Sequence, residues 1–286
     1  MSYAKPERLL GRTAPPSSQA AHSRSPAPTR TLACMTDAVP TARHPEVRSI
    51  MGMPIGIDLR DPGIDVEPAF DWLRECDAIF STYREDSDVS RLDRGELLLA
   101  ECRPEVDEVL TRCLALERET RGAFSVRLAG RLDPSGFVKG WAVAGAAERL
   151  IAAGARNFCI NAGGDVVARG RPMPDRRWRV GIRHPVDRGR LAAVVALAVL
   201  AVATSGEYEQ PGHIIDPRTG RPPTGLLSVT IVGPDLGRAD AYATAAFAMG
   251  AGGPGWTATL AGYDAMCITD DHQVLTTPGF AEHRVS

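Results

Sequence analysis

Lysine is almost missing from this sequence: of 286 residues only Lys5 and Lys139 are lysines, and nearly every other cation is an arginine. The formal net charge is -2, which excludes a global attraction to nucleic acid or to an anionic membrane. A protein with this charge that binds a polyphosphate must supply positive charge locally, and a bound metal cation is one source. Lys139, the lysine outside the N-terminal region, is therefore a candidate phosphate contact.

Three kinds of motif are also lacking. The six cysteines form no Cys-x-x-Cys pair and no His-Cys cluster with zinc spacing, which excludes the common zinc sites and favours a reducing compartment. The apolar run over residues 191–203 is shorter than the roughly 20 residues that a membrane-spanning helix needs. No secretory signal is present. We therefore expect a cytoplasmic protein with no membrane span and no nucleic-acid partner.

The composition divides the chain into a tail and a domain. Residues 1–45 are rich in Ala, Pro, Ser, Thr and Arg, which predicts a disordered N-terminal tail. Residues 46–286 are expected to form a single domain, because a chain with 44% hydrophobic and 24% charged residues resembles ordinary globular proteins.

Hydrophobic periodicity predicts helices and strands in mixed order. The predicted helices cover residues 68–81, 104–121, 140–153 and 239–250. The predicted strands cover residues 51–57, 158–160, 178–182, 228–232, 265–268 and 273–275, and residues 191–203 should supply one or two more. Because helices and strands do not alternate strictly, the predicted fold class is α+β.

Two segments near the end of the chain offer hard oxygen atoms. On a helix, Asp240 and Thr244 share one face, and a carboxylate with a hydroxyl suits magnesium. Capping of the helix by Asp240 is the alternative. The sequence Thr204-Ser205-Gly206 closes an apolar strand and could approach a phosphate, although such a turn is also ordinary loop chemistry.

Three further segments carry ionisable groups. His213 and Asp216 could supply a proton acceptor and its partner, or form a strand end with an Asp-Pro turn. Asp165 follows a glycine pair and could bind a ribose hydroxyl or an adenine amine, or belong to a plain hairpin. Asp133 and Lys139 flank a helix start, which favours anions, although the Walker spacing is absent.

In their residues and in their order along the chain, these segments resemble the ApbE family of FAD:protein FMN transferases, from about Ser49 to the C-terminus. The resemblance implies an ApbE-like (T-fold-like) arrangement of mixed sheets packed with helices, with a ligand cleft between two lobes. The matching text lies at Met51-Gly52, Phe80 to Arg84, Asp86-Ser87, Gly122 to Phe124, Lys139 to Val143, Asn161 to Asp165, Thr204 to Gly206, His213 to Gly220, Ser228 to Thr230, Ala239 to Ala241 and Thr244.

The resemblance also implies an activity. A magnesium-dependent enzyme of this family transfers FMN from FAD to a threonine (or serine) of a target flavoprotein and releases AMP. Its partners are FAD and the acceptor flavoprotein. The implied catalytic residues are His213 and Asp240. The implied metal site comprises Gly136, Asp240, Ala243 and Thr244. The implied FAD contacts are Met51, Tyr83, Ala123, Phe124, Ser125, Asp133, Lys139, Asp165 and Ile215.

The chain departs from the family in one region. The family usually has several dozen residues between its Gly-Ala-Phe strip and its Asp-x-x-Gly loop, whereas here Ser125 reaches Asp133 in a few. Ser125 also stands where the family commonly has Asp. Because the lost segment normally helps to cover the ligand, the site should be more open. Two alternatives therefore stay beside transfer: hydrolysis of FAD to FMN and AMP, or FAD binding without catalysis.

Overall fold

The computed structural model describes residues 44–187, 189–206 and 214–285. The tail predicted over residues 1–45 lies outside this part of the chain except for its last two residues. His213 also lies outside the described residues.

One antiparallel sheet of eight strands organises the described residues, and its strand order is β1-β2-β5-β6-β9-β10-β11-β12. Two short strand pairs, β3-β4 and β7-β8, lie apart from it. The strands are β1 (Glu46–Ile50), β2 (Met53–Leu59), β3 (Arg127–Leu128), β4 (Arg131–Leu132), β5 (Phe158–Ala162), β6 (Asp165–Arg169), β7 (Trp178–Arg183), β8 (Leu191–Leu197), β9 (Val199–Gly206), β10 (Leu226–Gly233), β11 (Asp264–Thr269) and β12 (Val274–Thr276).

The helices fill most of the connections between these strands. They are α1 (Glu67–Phe80), α2 (Asp88–Asp93), α3 (Pro104–Glu119), α4 (Ser135–Ala152), α5 (Leu236–Ala248), α6 (Gly253–Thr257) and α7 (Phe280–His283), with short 3₁₀ turns at Leu99–Glu101 and Gly250–Gly252. Proline in the first turn of α1 and α3 suits a helix start, since the missing N–H would have no intrahelical partner there. No helix in the described part of the chain is long and apolar enough to cross a membrane.

The two faces of the large sheet carry two separate apolar clusters. The larger cluster packs α1, α4 and α5 against one face and includes Ile55, Ile57 and Phe247. The smaller cluster packs the β7-β8 hairpin and Phe280 of α7 against the other face, with Trp178 fully buried. Alternation of side chains along each strand separates the two faces.

The structure confirms the α+β class and most of the predicted elements, but it adds elements that were not predicted: strands β1, β3, β4 and β6 and helices α2, α6 and α7. Two predicted segments also differ. Helix α4 begins at Ser135, five residues before the predicted start, because the Pro134 turn leads directly into it. The apolar run over residues 191–203 divides at Ala198 into strands of two different sheets. The described residues belong to one compact unit organised around the large sheet.

Candidate active site

Helices α4 and α5 cross in close contact next to the candidate site. A Cβ atom added to Gly140 of α4 would lie 2.5 Å from the carbonyl oxygen of Leu236 and 2.9 Å from the Cα of Gly237, both in α5. Only glycine permits such an approach. The crossing is tight enough for the Gly140 N–H to donate a hydrogen bond of 3.2 Å to Oδ2 of Asp240. It therefore fixes α4 and Asp240 relative to each other.

Three charged side chains meet beside this crossing. The ammonium nitrogen of Lys139 lies 2.6 Å from Oδ2 of Asp165 and 3.6 Å from Oδ1 of Asp240. The N–H of Thr204 on β9 donates to the other oxygen of Asp165 at 3.2 Å. Both carboxylates are almost fully buried, at 1% and 4% exposure. Two buried acids face one base, so the cluster has an excess of negative charge.

Burial decides the electrostatics of Asp240. The pKa of its carboxyl is raised to about 7: loss of solvation is the main cause and Asp165 adds to it, whereas Lys139 and the Gly140 N–H act in the opposite direction. Any additional positive charge nearby would stabilise the ionised form of this carboxyl group.

Hydroxyl groups extend the cluster along α5. Thr244 lies one turn after Asp240, and its Oγ1 is 3.3 Å from Oγ of Ser205 at the end of β9. A Cβ atom added to Gly136 would lie 3.8 Å from the same Thr244 oxygen and 3.2 Å from Phe124. Ala243 is fully buried, so only its backbone can face a ligand. Predicted metal positions 136, 240 and 244 are therefore neighbours in space.

These donors fit a divalent cation of the magnesium type. They are a carboxylate, two hydroxyls and nearby backbone carbonyls, all hard oxygen ligands. Among the described residues no group of three or more His, Cys, Asp or Glu side chains could hold a metal alone. Magnesium commonly takes one or two carboxylates and completes its shell with water and substrate phosphates. The excess negative charge of the cluster favours such an ion.

Helix capping, the alternative for Asp240, is excluded by the structure. The N-cap of α5 is Asp235, whose side chain accepts a 2.9 Å hydrogen bond from the N–H of Arg238. Asp240 lies in the second turn, where it has no capping role. Its burial beside Lys139 thus calls for another explanation.

The Gly-Ala-Phe strip runs alongside the start of α4. Ala123 and Phe124 are buried, and the Phe124 N–H donates to Oγ1 of Thr120 at 3.0 Å. The N–H of Asp133 donates to the Val126 carbonyl at 2.8 Å, and its carboxylate accepts from the Ser135 N–H at 3.0 Å. The strip, the Asp133 loop and the first turn of α4 consequently form one wall.

The β3-β4 hairpin occupies the short stretch between Ser125 and Asp133. This hairpin carries a left-handed turn at Ala129 and Gly130, with φ angles of 50° and 83°. The N–H of Leu132 donates to Oδ1 of Asp93 at 2.8 Å, which fastens the hairpin to α2. Ser125 precedes it and accepts a 3.1 Å hydrogen bond from the N–H of Arg127. A short, anchored turn thus closes the gap before Asp133.

The β5-β6 turn brings Asp165 to the site. The turn is also a hairpin, which was the alternative interpretation of this segment. Gly163 and Gly164 both have positive φ, at 58° and 108°, as a tight two-residue hairpin turn requires. A Cβ atom added to Gly163 would lie 2.8 Å from Sδ of Met53. Met51, with φ of 54° in the β1-β2 turn, is therefore near the same end of the sheet.

Two further predicted FAD contacts are Tyr83 and Ile215. Tyr83, between α1 and α2, is 95% exposed. Ile215 is half-buried and precedes Asp216, whose carboxylate pairs with Arg218 through two hydrogen bonds of 2.8 and 3.0 Å. A Cβ atom added to Gly122 would lie 3.6 Å from Cγ of Arg218, so this turn adjoins the Gly-Ala-Phe strip.

Sequence reasoning missed the glycine pair at the helix crossing. Gly140 and Gly237 lie inside the observed helices α4 and α5, whereas the predicted helices begin only at residues 140 and 239. With the helix starts placed correctly, the signal is a glycine inside each helix, which is costly unless another backbone lies close.

Comparison with known proteins agrees with this arrangement. The sequence model of the ApbE family matches residues 51–130 and 126–267. The two matched pieces overlap at residues 126–130, which include β3 and the turn of the β3-β4 hairpin. The chain is 38% identical over 159 residues to the FAD:protein FMN transferase of Rhodobacter capsulatus, covering 52% of this chain but 30% of that protein.

A second relative matches over a larger share of its length. The FAD:protein FMN transferase of Haemophilus influenzae is 26% identical over 243 residues, covering 62% of this chain and 70% of that protein. Two solved structures share the fold. The ApbE protein of Thermotoga maritima superposes with a TM-score of 0.75 at 22% identity, over 85% of this chain and 99% of that one. Flavin transferase ApbE of Vibrio cholerae superposes with a TM-score of 0.72 at 24% identity, over 84% and 98%.

The family match therefore runs from Met51 to Cys267 across the sheet, the helix crossing and every segment of the charged cluster, and the chain belongs to the ApbE family.

Proposed function

We propose that this protein transfers FMN from FAD to a threonine or serine hydroxyl of an acceptor flavoprotein and releases AMP. One observation carries the proposal: Lys139 of α4, Asp165 of β6, and Asp240 with Thr244 of α5, drawn from three separated segments, converge beside the helix crossing. The names of the relatives support the same activity.

The reaction exchanges the phosphoanhydride bond of FAD for a phosphoester bond to the acceptor. The acceptor hydroxyl oxygen bonds to the phosphorus on the FMN side of FAD, and the bond from that phosphorus to the bridging oxygen breaks. AMP departs with that oxygen, and the hydroxyl proton passes to a base. Positioning and neutralisation of charge are the main requirements of such a displacement.

Magnesium is part of the proposal. Asp240 and Thr244 would hold the ion, with backbone carbonyls at Gly136 and Ala243 as further donors. When bound, the ion offsets charge on the diphosphate and on the departing AMP. Lys139 is placed to add a second positive charge beside Asp240.

Proton acceptance is assigned to His213. A threonine hydroxyl is a poor nucleophile until its proton is removed, and an imidazole is suited to that task at neutral pH. His213 is the first residue of the family-like segment 213–220, and this position in the sequence motivates the assignment.

The remaining predicted residues would surround FAD. Asp133 and the strip from Ala123 to Ser125 form one wall, with Met51, Asp165 and Ile215 as further contacts. Tyr83, which is 95% exposed, offers an aromatic ring to a flat ligand.

Incubation with FAD, magnesium and an acceptor flavoprotein tests the proposal. We expect the acceptor to gain the mass of FMN on a threonine or serine, with AMP in equal amount. Asp240→Asn should abolish both products and retain the circular dichroism spectrum. An acceptor that another flavin transferase modifies, but that this protein leaves unmodified, would contradict the proposal.

Hydrolysis of FAD is the second candidate, and the short β3-β4 hairpin favours it. Where the family has a longer covering segment, water has easier access to the phosphorus. Release of AMP and FMN without any acceptor, at a rate that an acceptor does not change, would establish hydrolysis in place of transfer.

A cytoplasmic location also belongs to the proposal. Five cysteines of the described residues are free thiols: Cys76, Cys102, Cys113, Cys159 and Cys267. Free thiols fit a reducing compartment, so the acceptor would be a cytoplasmic protein or a protein exposed to the cytoplasm.

A further inference from the structure

A strongly basic segment is hidden by the near-neutral charge of the whole chain. Residues 169–190 contain eight arginines and two aspartates, a formal charge of +6 within a chain of -2. The segment comprises the end of β6, the following loop, β7 and the β7-β8 turn. The rest of the chain therefore carries -8.

Many of these arginines face solvent. Four of them are exposed and have no carboxylate within ion-pair distance among the described residues: Arg169, Arg171, Arg177 and Arg190. The two aspartates of the segment, Asp175 and Asp187, are exposed as well. The local positive charge is thus available to a partner.

Aliphatic side chains stand beside the arginines on the outer face of the β7-β8 hairpin. The inner face of this hairpin is buried against the large sheet. The outward cross-strand pairs combine an arginine or glycine of β7 with an aliphatic residue of β8: Arg179 with Ala196, Gly181 with Val194, and Arg183 with Leu191. Leu191 is 42% exposed, and Val186 in the connecting turn is 60% exposed.

A groove continues this surface on the other side of β8. It has a volume of about 590 Å³ and is lined by residues of β8 and of the C-terminal segment, including Ala192, Val194, Ala281 and Arg284. The N–H of Val285 donates to the Val194 carbonyl at 2.9 Å and closes one end of the groove. The side chains that line it are those of Ala, Val and Leu residues and of Arg284.

We propose that this hairpin surface, formed by residues 169–187 and 189–196 with Arg284, binds the surface of an anionic phospholipid bilayer. Arginines meet acidic headgroups, and the exposed aliphatic side chains enter the interface next to them. The segment's +6 charge complements such a bilayer. This mode of binding uses no membrane-spanning helix.

Two features favour a bilayer over other anionic partners. Proteins that bind single-stranded nucleic acid usually stack bases on exposed aromatic rings, whereas Trp178, the aromatic residue of the segment, is fully buried. An acceptor bound for transfer must reach Asp240 and Lys139, which lie on the helix side of the large sheet. The hairpin covers the opposite side, so a bilayer bound there leaves the candidate site accessible.

Sedimentation with lipid vesicles tests the proposal on the full chain. We expect binding to vesicles of phosphatidylcholine mixed with phosphatidylglycerol, weak binding to phosphatidylcholine alone, and a loss of binding as salt increases. Reversal of two exposed charges, Arg177→Glu with Arg190→Glu, should lower the partition coefficient by about tenfold or more. Val186→Ser with Leu191→Ser should weaken the binding that remains at high salt.

The matched control reverses two exposed arginines of α3 on the helix side, Arg112→Glu with Arg118→Glu. It changes the net charge equally and should retain vesicle binding. Equal binding to neutral and anionic vesicles, equal loss in the control, or binding to RNA without binding to vesicles would each overturn the proposal. Circular dichroism spectra show whether the variants, all at exposed positions, remain folded.

Discussion

The ammonium group of Lys139 contacts two buried carboxylates, at 2.6 Å from Asp165 and 3.6 Å from Asp240. Asp165 follows a hairpin turn of the sheet, whereas Asp240 lies inside a helix. One side chain therefore ties the sheet, α4 and α5 together at the candidate site. The same contact is the source of local positive charge in a protein with only two lysines.

Replacement of this lysine should destabilise the fold. Lys139→Met leaves two buried acids without their cation, and we expect a loss of about 2 kcal/mol in the free energy of unfolding at neutral pH. Urea denaturation measures this loss. Lys5→Met, the matching change at the other lysine, should have no effect. Magnesium should restore part of the lost stability, and a variant as stable as the wild type would contradict the role given to the ion pair.

The hydroxyl of Thr244 should matter more than its methyl group. Thr244→Val keeps the shape but removes the oxygen that lies 3.3 Å from Ser205, so the magnesium concentration for half-maximal transfer should rise about tenfold or more. Thr244→Ser keeps the oxygen and should stay near the wild type. Equal magnesium requirements for the two variants would remove Thr244 from the proposed ligands.

Local sequence spacing predicted the part of the site that lies on one element. Asp240 and Thr244 are four residues apart on a helix, and that spacing alone places them on one face. The charge of Asp165 and the turn before it were equally visible, because paired glycines permit a tight hairpin.

Contacts between different helices and strands could not be predicted from sequence spacing. The pairing of Lys139 with Asp165 and Asp240 depends on how closely α4 approaches α5, and that distance is set by Gly140 against Leu236. Sequence spacing gives the period of each helix but not the distance between two helices. The family resemblance grouped these residues, and the structure gives the physical reason for the grouping.

The close helix crossing supplies a third prediction. Gly140→Ala places a methyl group 2.5 Å from the Leu236 carbonyl oxygen, which forces the two helices apart at a cost of about 2–3 kcal/mol. The shift also separates Lys139 from Asp240, so affinity for FAD and magnesium should fall, as isothermal titration calorimetry would measure. Gly255→Ala in α6 meets no atom within 4 Å and should be tolerated. Equal stability of both variants would show that the crossing is not restrictive.

A buried ion pair far from this site should make stability depend on pH. Arg60 lies 2.6 Å from Asp58, yet burial raises the pKa of the Asp58 carboxyl above its usual range because desolvation outweighs the attraction of Arg60. The folded protein therefore holds this proton more tightly than the unfolded chain, in which the pKa of an aspartate is about 3.9. The resulting stabilisation is complete below that pH and is lost as the pH rises through the folded pKa. Asp58→Asn cannot lose a proton, so its stability relative to the wild type should increase with pH in urea denaturation, whereas Asp175→Asn, at an exposed position, should show no such trend. Parallel pH profiles for Asp58→Asn and the wild type would mean that Arg60 fully compensates the burial of the carboxylate.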